Sequence, residues 1–84
     1  MMDINYELYK VFYHVATTLN FSEASKQLFI SQSAVSQSIK TLERKLDQTL
    51  FIRSTKKVQL TPEGEILLRH IEPAMNLIQK GEAQ

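Results

Sequence analysis

The chain contains no cysteine, which excludes both a disulfide-stapled framework and any thiolate metal site. A reducing compartment is the default for such a protein. No apolar run approaches the roughly 20 residues that span a bilayer. The N-terminus has neither the apolar core nor the small-residue cleavage pattern of a signal peptide. A soluble, cytoplasmic protein is therefore expected. Glycine is also scarce, two in the whole sequence, and no glycine-rich loop is present to form an oxyanion hole. Ser31, Ser33, Ser36 and Ser38 are numerous, but no base pairs with them at a recognisable spacing. His14 and His70 fall on different predicted helices, with no carboxylate or second histidine at ligand spacing. Neither an enzyme nor a cofactor or metal site is expected.

A chain of 84 residues suffices for one small domain. Its core must be thin, because a domain of this size buries only about 60–65% of the surface of its unfolded chain. The composition, 43% hydrophobic and 23% charged, is globular rather than disordered.

Net charge is only +1, which by itself argues against a polyanionic partner, but the distribution argues for one. Residues 25–60 carry Lys26, Lys40, Arg44, Lys45, Arg53, Lys56 and Lys57 against Glu43 and Asp47, a balance of +5. Residues 1–24 and 61–84 each balance at −2. A basic middle between acidic ends is the footprint of a small nucleic-acid reader, although solvated charge faces are common.

Periodicity predicts a mainly helical fold with a small β-hairpin. Leu8, Val11, Val15 and Leu19 recur at helical spacing, with Tyr9 and Phe12 widening the face, so a first helix should run from about Asn5 to Leu19. Asp3 or Asn5 can cap it. Tyr6, Tyr9 and Tyr13 read as core and helix-face packing, with a subunit contact as the alternative. Ser22 is the expected cap of a short second helix that ends near Leu28. Ser31 should cap a third helix of about 16 residues, with Ile30 and Val35 at the positions of a hydrophobic staple. On this helix Val35, Ile39, Leu42 and Leu46 form an inward stripe, and Ser33, Ser36, Gln37, Lys40 and Arg44 lie opposite.

After Asp47 the period changes. Leu50–Arg53 and Val58–Leu60 have the composition of hairpin strands, although their connection lacks Gly, Asn and Pro, the usual turn residues. Thr61-Pro62-Glu63 is a strong helix start. The last helix carries Leu67, Ile71, Ala74 and Ile78 in a 4-3-4 spacing, with Leu68, Met75 and Leu77 beside them. So many apolar positions exceed one narrow seam and suggest a partner subunit. Pro73 should kink or unwind this helix.

Two short helices joined by a tight turn, the second with an outward Ser/Gln/Lys face, describe a helix-turn-helix. Such a helix fits the DNA major groove, where Gln can bond adenine through two contacts and Ser can donate or accept. Lys and Arg farther along would meet phosphates. A basic hairpin tip at Lys56-Lys57 would suit an adjacent minor groove or backbone. At this level two alternatives stay open: a small helical domain with a solvated polar face, and a winged-helix module that binds protein.

The stretch F-S-E-A-S-K-Q-L-F-I-S-Q-S-A-V-S-Q-S-I-K-T-L-E-R-K-L, followed by L-F-I-R-S-T-K-K-V-Q-L-T-P-E-G-E, resembles the N-terminal domain of LysR-type transcriptional regulators. The resemblance implies a winged helix-turn-helix over residues 1–61 and a linker helix over residues 62–84 that pairs two subunits through Leu67, Leu68, Ile71, Ala74, Met75 and Ile78. It implies binding to interrupted inverted repeats in double-stranded DNA at the nucleoid, a tetramer for the full-length protein, and a small-molecule effector domain absent from this chain. Gln32, Ser33, Ser36 and Gln37 match the base-facing start of the recognition helix. Ser22, Ser31 and Lys40 match positions that meet phosphate or sugar. Lys56 matches the wing residue that reaches the minor groove, with Lys57 beside it. Arg53 matches a near-universal arginine, for which a phosphate contact and an internal pair with Glu43 are equal expectations.

The sequence departs from the family pattern at several places. Ser25 stands where a second alanine is usual, at little cost if its hydroxyl bonds the backbone one turn earlier. Asp47 replaces a glycine at a helix end, where Asp tolerates a left-handed conformation less well. Gln37 stands where arginine is frequent, and the wing lacks its usual glycine.

Overall fold

The computed structural model describes residues 4–54 and 57–83. Four helices and one hairpin follow in the order α1 (Tyr6–Thr18), α2 (Phe21–Leu28), α3 (Gln32–Leu46), β1 (Phe51–Arg53), β2 (Val58–Leu60) and α4 (Pro62–Glu82). Among the described residues no helix is long and apolar enough to cross a membrane.

Helix boundaries follow from side-chain caps. Asn5 accepts the Glu7 N–H and opens α1. The α2 cap is Asn20, not Ser22: its side chain accepts the Glu23 N–H at 2.9 Å, and Ser22 sits inside the helix. The reason lies one residue earlier. Leu19 turns left-handed (φ 53°) and returns its N–H to the Val15 carbonyl at 2.7 Å, so the chain is free to start a new helix at once. Ser31 caps α3 through the Ala34 N–H, as expected. Thr61 caps α4 through the Gly64 N–H, with Pro62 at the first helical position. Each such cap is worth about 1 kcal/mol.

α2 and α3 both end on a left-handed residue in a Schellman arrangement. Phe29 and Ile30 return their N–H groups to Lys26 and Ser25, and Asp47 and Gln48 return theirs to Arg44 and Glu43. Asp47 therefore adopts the conformation for which it is poorly suited, with φ 53°. Ser25 is buried and bonds the Ser22 carbonyl at 2.7 Å, which satisfies its hydroxyl within the helix.

The core lies where α1, α2 and α3 meet beneath the hairpin. Phe12, Val15, Ala24, Val35, Ile39, Leu42 and Leu50 are fully enclosed or nearly so. The Phe12 and Phe51 rings pack 5.5 Å apart and tie β1 to α1. β1 and β2 pair antiparallel, Phe51 opposite Leu60 and Arg53 opposite Val58. No glycine closes their turn; Ser54 does. Its N–H donates to the Lys57 carbonyl at 2.9 Å, and its hydroxyl accepts the Lys57 N–H at 3.1 Å.

The start of α4 is fixed to the sheet and to α1. The Thr61 N–H donates to the Leu50 carbonyl at 3.0 Å. Gly64 lies so close to that carbonyl that a Cβ there would overlap it and would come within 2.9 Å of Leu60 Cδ2. Leu67, Leu68 and Ile71 then pack against the core. α4 remains helical through Pro73, so the expected local unwinding does not occur. Pro73 and Arg69, whose carbonyl loses its helical partner, are both exposed, so water can take that bond.

Candidate nucleic-acid interface

Outward positions of α3 gather most of the residues expected to read DNA. Gln32, Ser33, Gln37 and Lys40 are exposed, and Ser36 is half-buried beside them. α1, α2 and α4 each carry at least one carboxylate in the first turn (Glu7, Glu23, Glu63 and Glu65), whereas α3 has none. The positive end of the α3 dipole is therefore left uncompensated, an arrangement that favours an anion. Ser31 meets this end as its cap, and its hydroxyl also lies 3.1 Å from the Ser33 hydroxyl. Ser22 is half-buried on α2, adjacent to Phe21. Farther along α3, Lys40, Arg44 and Gln48 border a shallow cleft together with Glu43 and Asp47, whose mixed charge defines no anion site.

Arg53 does not pair with Glu43. The Glu43 carboxylate accepts the backbone N–H groups of Leu50 at 2.7 Å and Phe51 at 3.3 Å, and so ties α3 to the start of β1. The Arg53 guanidinium instead lies over the Phe21 ring, 4.1 Å from its centroid. It donates one hydrogen bond to the Ser36 hydroxyl at 3.1 Å. The wing, the start of α2 and the outward face of α3 thus converge on one side chain. Phe21, to which the sequence pattern assigned no role, is the residue overlooked there. Lys57 is exposed at the base of the wing turn; Lys56 lies outside the described residues.

The helix expected to pair subunits divides into two parts. Leu67, Leu68 and Ile71 already serve the chain's own core, and Met75, 4% exposed, is covered as well. Ile71, Ala74, Met75 and Ile78 form one wall of a groove of about 500 Å³, with Tyr6 and Leu46 on the opposite side. Ile66 and Leu77 stay exposed outside it, Leu77 to 68%, and Ile78 is exposed at its rim. Free apolar surface on α4 is therefore narrower than its sequence pattern suggests and shifted toward Leu77. His14 bonds the Gln27 side chain at 2.7 Å, joining α1 to α2.

This geometry, three helices with a hairpin wing and a following helix, is that of a winged helix-turn-helix. Residues 6–65 match the family model described as bacterial regulatory helix-turn-helix protein, lysR family. The chain belongs to that family. It is 45% identical over 76 residues to the HTH-type transcriptional regulator PerR of Escherichia coli (strain K12), covering 90% of this chain and 26% of that protein. It is 43% identical over 70 residues to the regulator HdfR of Yersinia enterocolitica, covering 83% of this chain and 24% of that protein. It thus spans about a quarter of the length of these curated relatives.

Among solved structures, the oxidized form of Corynebacterium glutamicum OxyR superposes with a TM-score of 0.90 at 30% identity, covering 98% of this chain and 26% of that one. The CbnR_DBD chain of a CbnR_DBD–DNA complex superposes with a TM-score of 0.84 at 26% identity, covering 95% of this chain and 92% of that one.

Proposed function

We propose that this domain binds double-stranded DNA sequence-specifically as a homodimer and is the DNA-reading part of a transcription regulator acting at the cytoplasmic nucleoid. The observation that carries the reading is the exposed Gln32/Ser33/Gln37/Lys40 face on a helix whose N-terminus has no carboxylate in its first turn. It is supported by relatives described as transcriptional regulators and by the DNA complex of a similar domain.

In this reading α3 enters the major groove, and Gln32, Ser33, Ser36 and Gln37 meet base edges. Ser22, Ser31, Lys40 and Arg53 hold phosphate or sugar and fix the register. Lys56 and Lys57 bring the wing to the adjacent minor groove or backbone. Residues 62–84 pair two copies, with Ala74 and Ile78 at the seam, so that the target is an interrupted inverted repeat. Tetramer assembly and effector sensing are assigned to segments beyond the residues described.

The test is selection from a random duplex library at two salt concentrations. If each subunit neutralises about four phosphates, the dimer should show a logarithmic salt slope of about −7. Enrichment of a two-fold symmetric site with that steep dependence is the expected result. Affinity that is flat with salt, or no binding at all, overturns the proposal and favours a protein-binding module.

A further inference from the structure

We propose that Phe21 is a positioning residue for DNA reading: its ring holds Arg53 so that Arg53 fixes Ser36 as a hydrogen-bond donor toward the bases. This rests on the DNA-binding reading above. The starting point is the 4.1 Å approach of the guanidinium to the Phe21 ring and its 3.1 Å bond to the Ser36 hydroxyl. Phe21 is itself held in place, its ring packing edge-on against Phe51 at 6.3 Å, and Phe51 against Phe12. The platform under Arg53 is thus anchored in the core, whereas Arg53 itself is exposed.

The chemistry follows from counting donors. A guanidinium has five N–H groups in a planar fork, and stacking occupies its face rather than its edge. One N–H goes to Ser36, and the rest stay on the open edge, where a phosphate can accept a bidentate pair. A hydroxyl has one donor and two acceptor lone pairs. Once Ser36 accepts from Arg53, its O–H hydrogen is directed elsewhere, and among the described residues it meets no acceptor. At the DNA its O–H is thus free to donate, while one of its two lone pairs is already taken.

Atoms on the major-groove edge that accept a donor are purine N7, guanine O6 and thymine O4; the amino groups of cytosine and adenine do not. The latch therefore favours donation from Ser36, which every base but cytosine can accept in the major groove, and couples that bias against cytosine to the phosphate contact of the wing. Lysine cannot replace Arg53 here, because an ammonium has neither the flat face nor the fork.

The test has two arms. In the DNA-free protein, the Arg53 side-chain NMR signals should be ring-current shifted. The shift should vanish in Phe21→Leu and persist in Phe21→Tyr, which keeps the aromatic face. With DNA, Ser36→Ala should weaken the selected site about two- to tenfold, the usual range for one hydrogen bond. In the Arg53→Lys or Phe21→Leu background the same change should have little further effect, and base preference at that one position should already be relaxed. Phe21→Tyr should behave as wild type.

Losses that simply multiply would overturn the proposal, as would unshifted Arg53 signals in the wild type. If the signals are shifted but the wild-type protein enriches no duplex, the DNA-binding reading fails and takes this proposal with it. The DNA-free arm tells the two failures apart.

Discussion

The Glu43 side chain on α3 accepts the backbone N–H of Leu50 at 2.7 Å, across the bend between the recognition helix and the wing. Leu50 is fully buried, so its N–H has little access to water. Glu43→Ala leaves that donor without its partner and should cost about 1–3 kcal/mol. Glu43→Gln keeps an acceptor and loses only the charge assistance, so its cost should be smaller. Thermal unfolding checks the order: for a domain of this size about 1 kcal/mol corresponds to a shift of roughly 4–8 °C. Equal shifts for the two variants would contradict this account.

The two glycines should respond in opposite directions. Gly64→Ala drives a methyl group into the Leu50 carbonyl, and overpacking of that kind costs about 1–3 kcal/mol. Gly81 has open space around its Cα and lies within α4, so Gly81→Ala should stabilise the helix by about 0.5–1 kcal/mol. Chemical denaturation of both variants reads the contrast directly.

Asp47 and Phe29 hold left-handed backbones at helix ends. Asp47→Gly relieves that strain and should raise stability by about 0.5–1 kcal/mol. Phe29→Gly should do the same, since its ring is 92% exposed and contributes little packing. A drop in the unfolding midpoint of the Phe29 variant would reveal a packing role that the structure does not display.

Reading of bases should separate from attraction to the backbone. Gln32→Ala with Gln37→Ala removes two amide side chains and no charge, so preference for the selected duplex should collapse while affinity for random DNA falls little. Competition binding against the two duplexes gives the ratio. A uniform loss on both would place these residues outside base recognition.

On α4, Leu77→Glu and Ile78→Glu alter exposed apolar side chains and should shift sedimentation toward the monomer while helix content is retained. Met75→Ala removes a covered side chain and should instead destabilise the chain, by about 2–5 kcal/mol if the space does not close. If the two glutamate variants sediment as the wild type does, the subunit contact lies elsewhere.

How far the sequence could be read depended on whether the signal was local. Ser31 and Thr61 act as caps because a cap needs only its own helix, and the Val35, Ile39 and Leu42 stripe is buried because periodicity fixes a face. Asn20 and Ser22 are both good caps two residues apart, and the choice between them depended on the turn at Leu19. Pro73 reads as a kink or an unwound turn, yet the helix continues through it where Pro73 and Arg69 are both exposed. Arg53 was the hardest. Its partners on α2 and α3 are set by how the hairpin lies across the helices, and no spacing announces a ring 32 positions earlier.

The close seat of Gly64 on the Leu50 carbonyl clamps the base of α4, and packing through Ile71 and the covered Met75 fixes the helix along two thirds of its length, so only its last turns form a free arm. Twenty-one residues of helix extend about 31 Å, of which the part beyond Met75 projects about 10 Å past the packed surface. A side chain cannot be inserted at the base to loosen it, and the Thr61 bond to Leu50 resists slippage. A pull on the arm near Lys80 would therefore load the Ile71 and Met75 packing before it reached the joint at Leu50.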